Sequence, residues 1–198
     1  MLISNYRSDL ALAFVNTRYW RGSGTPTEEL ATLPAVSDWL HKNGALDDAW
    51  HRELKDGKLS EDEIEMLLDE IIILRETMYR VFAALATPKK PAQEDIKELS
   101  RALRDAVPRD DLRWTESGFT WDVFIPNPDA LSMLAPVLWS AVDLLVGDPA
   151  KRLRLCNNDK CLYLFLDNSR TSARRWCDMK ACGNRAKAHR HYLKTKAA

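Results

Sequence analysis

The sequence has no uninterrupted apolar run approaching the roughly 18 residues a helix needs to cross a bilayer. No membrane partner is expected. No export leader is expected either: "MLISNYRSDLALAFVNT" carries Asp9 inside its apolar portion and shows no small-residue cleavage pattern. The expected location is therefore the cytoplasm, where thiols stay reduced. No glutamate occurs after Glu116, and the four histidines show no spacing that gives them a nucleophile or a metal partner. Enzyme activity is not expected. No heptad seam marks a coiled coil, so the oligomeric state stays open.

The formal net charge is also zero, but the two signs are segregated. Residues 151–198 hold 13 lysines and arginines against three acids (Asp159, Asp167, Asp178), a balance of +10, and residues 1–150 hold 16 against 26, a balance of −10. Such a division predicts a basic module for a polyanion attached to an acidic body. The composition shift at "GDPAKRLRLC" places the boundary near residue 150, giving domains 1–150 and 151–198.

At 198 residues and 45% hydrophobic content, the chain can bury a sizeable core. The acidic part reads as mostly helical. "SDLALAFVNT" mixes helix and strand spacing and reads as a short helix, and "AVSDWLHKNGAL" as another that Gly44 ends. Ser60 and Glu63 make a capping box, and apolar residues then recur at Ile64, Leu67, Leu68, Ile71, Leu74, Met78 and Val81. They predict a long helix over about residues 61–86, stopped by Pro88. Pro91 opens a further helix with Ile96, Leu99, Leu103 and Val107 as its buried stripe. "LRWTESGFTWDVFIP" reads as a β-hairpin turning at Gly118, with Trp114, Phe119 and Trp121 as sheet and core residues. "PDALSMLAPVLWSAVDLLVGD" is a core helix kinked or restarted at Pro136.

The only four cysteines fall in the basic segment, as C-x4-C-x15-C-x4-C: Cys156, Cys161, Cys177 and Cys182. Two short pairs at that separation suit one structural zinc, since each loop turns two thiolates toward a point and the segment between folds back. An iron–sulfur cluster and redox thiols or disulfides are the alternatives. Four thiolates leave no open position for water, which argues against a catalytic metal. Between the pairs "CLYLFL" reads as a strand or hairpin with Leu162, Leu164 and Leu166 on one face and Tyr163 and Phe165 on the other. "SARRW" reads as one helical turn, and "GNRAKAHRHYLKTK" as a basic helix tied to the metal. On that helix Ala186, His189, Arg190 and Leu193 are expected on the packed side. Loss of the metal is expected to unfold about the last 45 residues and leave the helical body standing.

"LRLCNNDKCLYLFLDNSRTSARRWCDMKACGNRAKAHRHY" closely resembles the CGNR-type zinc finger, whose naming run stands here as Cys182, Gly183, Asn184 and Arg185. "C-x4-C", "FLDNSR" and "RRWC" precede it in order, and the match covers about 40 residues. The preceding body resembles the ABATE domain of bacterial proteins described as stress-induced transcription regulators, through "LAFVNT", "DWLHKNG" and "LRE". Where members often have "LDFVNT", Ala13 replaces the acid.

The resemblance implies a DNA-binding regulator with an N-terminal domain that senses a small-molecule effector. The fold expected is α+β: a mostly helical N-terminal domain with a β-hairpin, and a small C-terminal treble-clef-like zinc finger. Candidate DNA contacts are Arg170, Arg174, Arg175, Lys180, Asn184, Arg185, Lys187, His191 and Lys194, through phosphates or base edges. Candidate ligand contacts are Asn16, Thr17 and Arg75. Asn and Thr just before a loop most often satisfy backbone groups in a turn or cap, which is the competing reading of Asn16 and Thr17. Arg75, amid apolar neighbours, needs a carboxylate or an anionic ligand if it points inward. The alternative is a zinc-stabilised module for RNA or an acidic protein. An enzyme built on the N-terminal pocket is a lesser one.

Overall fold

The computed structural model describes residues 2–3, 9–56, 59–109, 111–116, 118–123 and 129–196; the side chains of Leu2, Arg190, His191, Leu193 and Lys194 lie outside that description. Ser117 and Phe124 of the expected hairpin also fall outside it.

The long helix forms where the capping box and apolar stripe put it. This is α4 (Glu61–Ala86), after β1 (Leu2–Ile3), α1 (Leu10–Val15), β2 (Arg18–Tyr19), β3 (Thr27–Glu28), α2 (Leu33–Lys42) and α3 (Asp48–Lys55). The Glu63 backbone N–H donates to Ser60 Oγ while the Glu63 carboxylate accepts from the Ser60 N–H at 2.8 Å, so both otherwise orphaned donors are satisfied. Leu67, Ile71, Leu74, Met78, Val81 and Phe82 line its buried face. The apolar helix after the hairpin divides into α6 (Ala130–Met133) and α7 (Ala135–Val146), with Pro136 in the first turn of α7, where a missing N–H costs nothing. Helix α1 is pinned to α7 by the Ala11 N–H, which donates to Ser140 Oγ at 3.1 Å. Helix α5 (Gln93–Asp105) packs on α4 with Leu99 and Ala102 buried; Ile96 is 39% exposed and Val107 lies beyond the helix, so its stripe is narrower than expected.

Helix α3 has no counterpart in the periodicity reading. Asp47 caps it by accepting from the Trp50 N–H at 2.9 Å, and Leu54 is its buried residue. A helix with so little apolar surface leaves almost no stripe to find.

Strands β4 (Leu112–Thr115) and β5 (Gly118–Asp122) form the expected hairpin, and β1 extends it into an antiparallel sheet of order β1-β5-β4. Its aromatics do not all enter the core. Trp121 packs with Ile3, Val123, Ala135 and Trp139, whereas Trp114 and Phe119 are 69% and 67% exposed and meet edge to face at 4.9 Å. The register pairs Trp114 with Phe119 next to the turn, beyond the reach of the α7 side chains that cover Trp121.

After a 3-10 turn (Asp148–Arg152), β6 (Leu153–Leu155) and β7 (Leu164–Leu166) pair antiparallel, and α8 (Asn184–Lys196) closes the chain. Leu153 and Leu164 belong to the same apolar cluster as Phe14, Met78 and Leu138. The change of charge near residue 150 is therefore not a break in the core.

One arginine is completely buried beside that core. Arg75 donates through Nη1 and Nη2 to the Glu28 carboxylate at 2.5 and 2.6 Å, through Nε to Glu76 at 3.0 Å, and through Nη1 to Thr17 Oγ1 at 3.1 Å. Burial alone raises the pKa of Glu28, but hydrogen bonds from Arg75 and the Leu30 N–H outweigh it and leave the carboxyl below its usual value. Glu76 follows the same pattern, with Arg21 at 2.6 Å offsetting burial. Groups with lowered folded pKa values stabilise the fold above their unfolded pKa, about 4.3 for glutamate, and lose that contribution as pH falls through the folded value. The thermal midpoint is expected to hold near pH 6 and fall steadily below about pH 4.3. A midpoint flat from pH 6 to pH 3 would show that these ion pairs add nothing.

Candidate metal centre and the basic surface around it

Strand β6 delivers Cys156 into a tight knuckle. The Cys156 N–H donates to the Tyr163 carbonyl at 2.9 Å, the Cys161 N–H to the Asn158 carbonyl at 2.8 Å, and the Lys160 N–H to Asn158 Oδ1 at 3.1 Å. Asn158 thus makes the turn that a four-residue spacer requires, and Leu162 at φ +54° reverses the chain into β7. The second pair sits where a π-helical turn (Met179–Gly183) leads into α8. Asp178 caps this turn, accepting from the Ala181 N–H at 2.5 Å. The Asn157 N–H donates to the Arg175 carbonyl at 2.9 Å and ties the two halves together. "SARRW", read as a helical turn, is irregular because its backbone serves these cross-links.

The four sulfurs lie within 4.8 Å of one another, with Cys161–Cys177 at 3.7 Å and Cys177–Cys182 at 3.8 Å. A tetrahedron with zinc–sulfur bonds of about 2.3 Å has sulfur–sulfur edges of about 3.8 Å. The donor set therefore fits a single zinc ion. These separations are far from the roughly 2.05 Å of a disulfide, and all four thiols are free. Hydrogen bonds from Cys161 and Cys177, with backbone N–H groups, hold Cys156 down at about 2, while the bond to Cys156 pushes Cys161 up to about 12. Four sulfurs this close set their charges against one another, and a divalent cation relieves that by stabilising every thiolate at once. Asn158 Nδ2 reaches Cys182 Sγ at 3.6 Å and supports that ligand from behind.

Asp167 is buried and organises the loop between β7 and the second pair. Hydrogen bonds from Ser169, side chain and N–H at 2.6 and 2.9 Å, and from the Arg174 N–H at 2.9 Å, keep its carboxyl below the usual range despite burial. The Arg174 guanidinium lies 4.6 Å above the Phe165 ring, donates through Nε to the Trp176 carbonyl at 2.9 Å, and donates also to the Cys177 carbonyl. Arg174 is thus built into the finger.

The other expected DNA contacts are distributed differently. Arg170, Lys180, Asn184 and Lys187 are exposed, and Arg175 stacks at 5.1 Å on Trp176. Arg185 lies 4.4 Å above the ring of Trp20, a residue of the acidic body. The His191 and Lys194 side chains lie outside the described residues, as do those of Arg190 and Leu193 on the expected packed side. His189, also expected there, is exposed.

Asn16, Thr17 and Arg75 come together at the joint between body and finger. Asn16 Nδ2 donates to the Leu164 carbonyl at 2.8 Å, and its Oδ1 accepts from the Leu164 N–H at 3.0 Å, so one side-chain amide pairs with both backbone groups of Leu164 in β7. Thr17 Oγ1 donates to the Phe14 carbonyl at 2.7 Å and accepts from Arg75. Arg21, over the Tyr79 ring at 3.8 Å, and Tyr79, whose hydroxyl donates to the Leu162 carbonyl at 2.9 Å, continue the joint. The sequence reading missed Trp20, Tyr79 and Asn158. A tryptophan in the polar run "RYWRGSG" was the one signal at hand.

A helical body whose C-terminal strands enter a four-cysteine, treble-clef-like site defines a zinc-finger protein. The CGNR zinc finger model matches residues 152–195, and the ABATE model, described as "Putative stress-induced transcription regulator", matches residues 8–148. The chain belongs to the ABATE family and carries a CGNR zinc finger. No curated protein matches it.

Proposed function

We propose that the chain is a transcription regulator that binds duplex DNA through its zinc-fixed finger. The observation that carries this reading is where the cations find partners. In the body Arg18, Arg21, Arg75, Arg80, Arg101, Arg109 and Arg113 each face a carboxylate. Among the described side chains from 153 onward, no lysine or arginine forms an ion pair. Arg170, Arg175, Lys180, Asn184, Arg185 and Lys187, with His191 and Lys194 further along α8, are the proposed contacts to phosphates and base edges. Arg174 positions the finger through the Cys177 carbonyl. In this reading residues 1–150 are a support and 151–198 the nucleic-acid module. Asn16, Thr17 and Arg75 serve as the joint rather than as an effector site, because their polar atoms already have protein partners.

The zinc-loaded protein, titrated side by side with duplex DNA, structured RNA and an acidic polypeptide at about 50 mM salt, should bind the duplex most tightly. Tighter binding of the RNA or the polypeptide would replace DNA reading with the interaction-module alternative.

A further inference from the structure

The acidic body contributes one wall to a cleft whose other walls belong to the finger. Its volume is about 400 Å³, and Trp20, Asn157, Asn158, Lys160, Arg185 and His189 line it, with Asp159 as its one acid. A cavity of that size holds a small molecule rather than a bare ion. Lys160, Arg185 and His189 are among its lining residues, and among the described residues none of the three pairs with a carboxylate.

The walls are fixed in place. Gly22 packs so closely on the zinc knuckle that a Cβ there would stand 1.8 Å from the Asp159 carbonyl oxygen. Trp20 holds a left-handed backbone at φ +54°, and its half-buried side chain packs against the cysteine cluster. There it carries the Arg185 guanidinium, a cation–π contact that orients the charge without neutralising it. Asn157 lines the same cleft, and Asn158, whose amide is held by the Lys160 N–H and Cys182 Sγ, fixes the knuckle wall.

We infer that this seam between body and finger is a phosphate-binding site, sized for a phosphate carried on a nucleoside. The phosphate comes either from a DNA strand at the edge of the finger's footprint or from a free nucleoside monophosphate. The inference deepens the DNA reading and rests on it only for the first source. A phosphate in the cleft bridges Lys160 of the knuckle and Arg185 of α8, and so reports the closure of the finger against the Trp20 turn.

The test is calorimetric titration of the zinc-loaded full chain with thymidine 5′-monophosphate at low salt, with thymidine as control. Lys160→Gln and Arg185→Gln, changes at two exposed side chains that are not metal ligands, are compared at a verified zinc content of about one per chain. The expected result is monophosphate binding weakened about tenfold or more by either variant, and no binding of thymidine. Competition with a duplex identifies the source: displacement marks the DNA strand, and simultaneous binding marks a free ligand. Equal affinity in wild type and both variants, or binding of thymidine as tight as its phosphate, overturns the inference. If the monophosphate fails to bind while the duplex still binds with strong salt dependence, the cleft is refuted and the DNA reading stands.

Discussion

Replacing Cys161 with serine is expected to cost the chain its zinc and to destabilise the body along with the finger. Cys161 is buried in the tetrad, and three remaining thiolates no longer close the site. Apparent zinc-binding energies of small fingers are about 10–16 kcal/mol, so residues from 153 onward should unfold outright. The sequence alone suggests that the damage ends there. The packing argues for wider damage, because Leu153 and Leu164 lie in the main apolar cluster and Asn16 pairs with the backbone of Leu164 in β7. Uncovering two leucines costs roughly 3–6 kcal/mol, which lowers the body's midpoint by on the order of 10 °C. Hydrogen exchange should show protection lost after residue 153 and reduced along α1. An unchanged midpoint for the remaining helices would mean that body and finger fold independently.

The second large effect is expected at Arg75. Arg75→Met removes the cation from a pocket with no solvent access and leaves Glu28 without its bidentate partner, while Glu76 keeps Arg21. Glu28 keeps about 34% of its side chain in solvent, so the loss is expected to fall below that of a fully buried pair, at about 1–3 kcal/mol, most of it the penalty of leaving Glu28 partly desolvated without its partner. The double variant Arg75→Met, Glu28→Leu should recover part of the loss, since an apolar replacement carries no such penalty. Urea denaturation of the two variants checks both statements. A double variant less stable than Arg75→Met alone would show that the ion pair's value is in its geometry, not in avoided desolvation.

Legibility in the sequence followed the range of the interactions. The α4 capping box spans three residues, and the cysteine pairs repeat a short spacing, so both were readable. The need for a partner at Arg75 was readable as well, from a cation among apolar neighbours. Its identity was not, because Glu28 lies 47 residues upstream on a two-residue strand. Asn16 illustrates the same limit: turn, cap and ligand roles use the same amide, and the actual partner, Leu164, is 148 residues away. Helix α3 escaped notice because a capped helix with one buried leucine has no apolar rhythm. Trp114 and Phe119 were placed in a sheet correctly and in the core wrongly, since alternation reports a shared face and not whether another layer covers it.

The central claim, that the unpaired cations of the finger meet DNA phosphates, is tested most directly by the salt dependence of duplex binding. The logarithm of the affinity should fall linearly with the logarithm of salt concentration, by about 0.9 per phosphate neutralised. The triple variant Arg170→Gln, Lys180→Gln, Lys187→Gln should retain its zinc and lessen that slope by roughly two to three. A slope near zero in the wild type, or one identical in the triple variant, would contradict the claim.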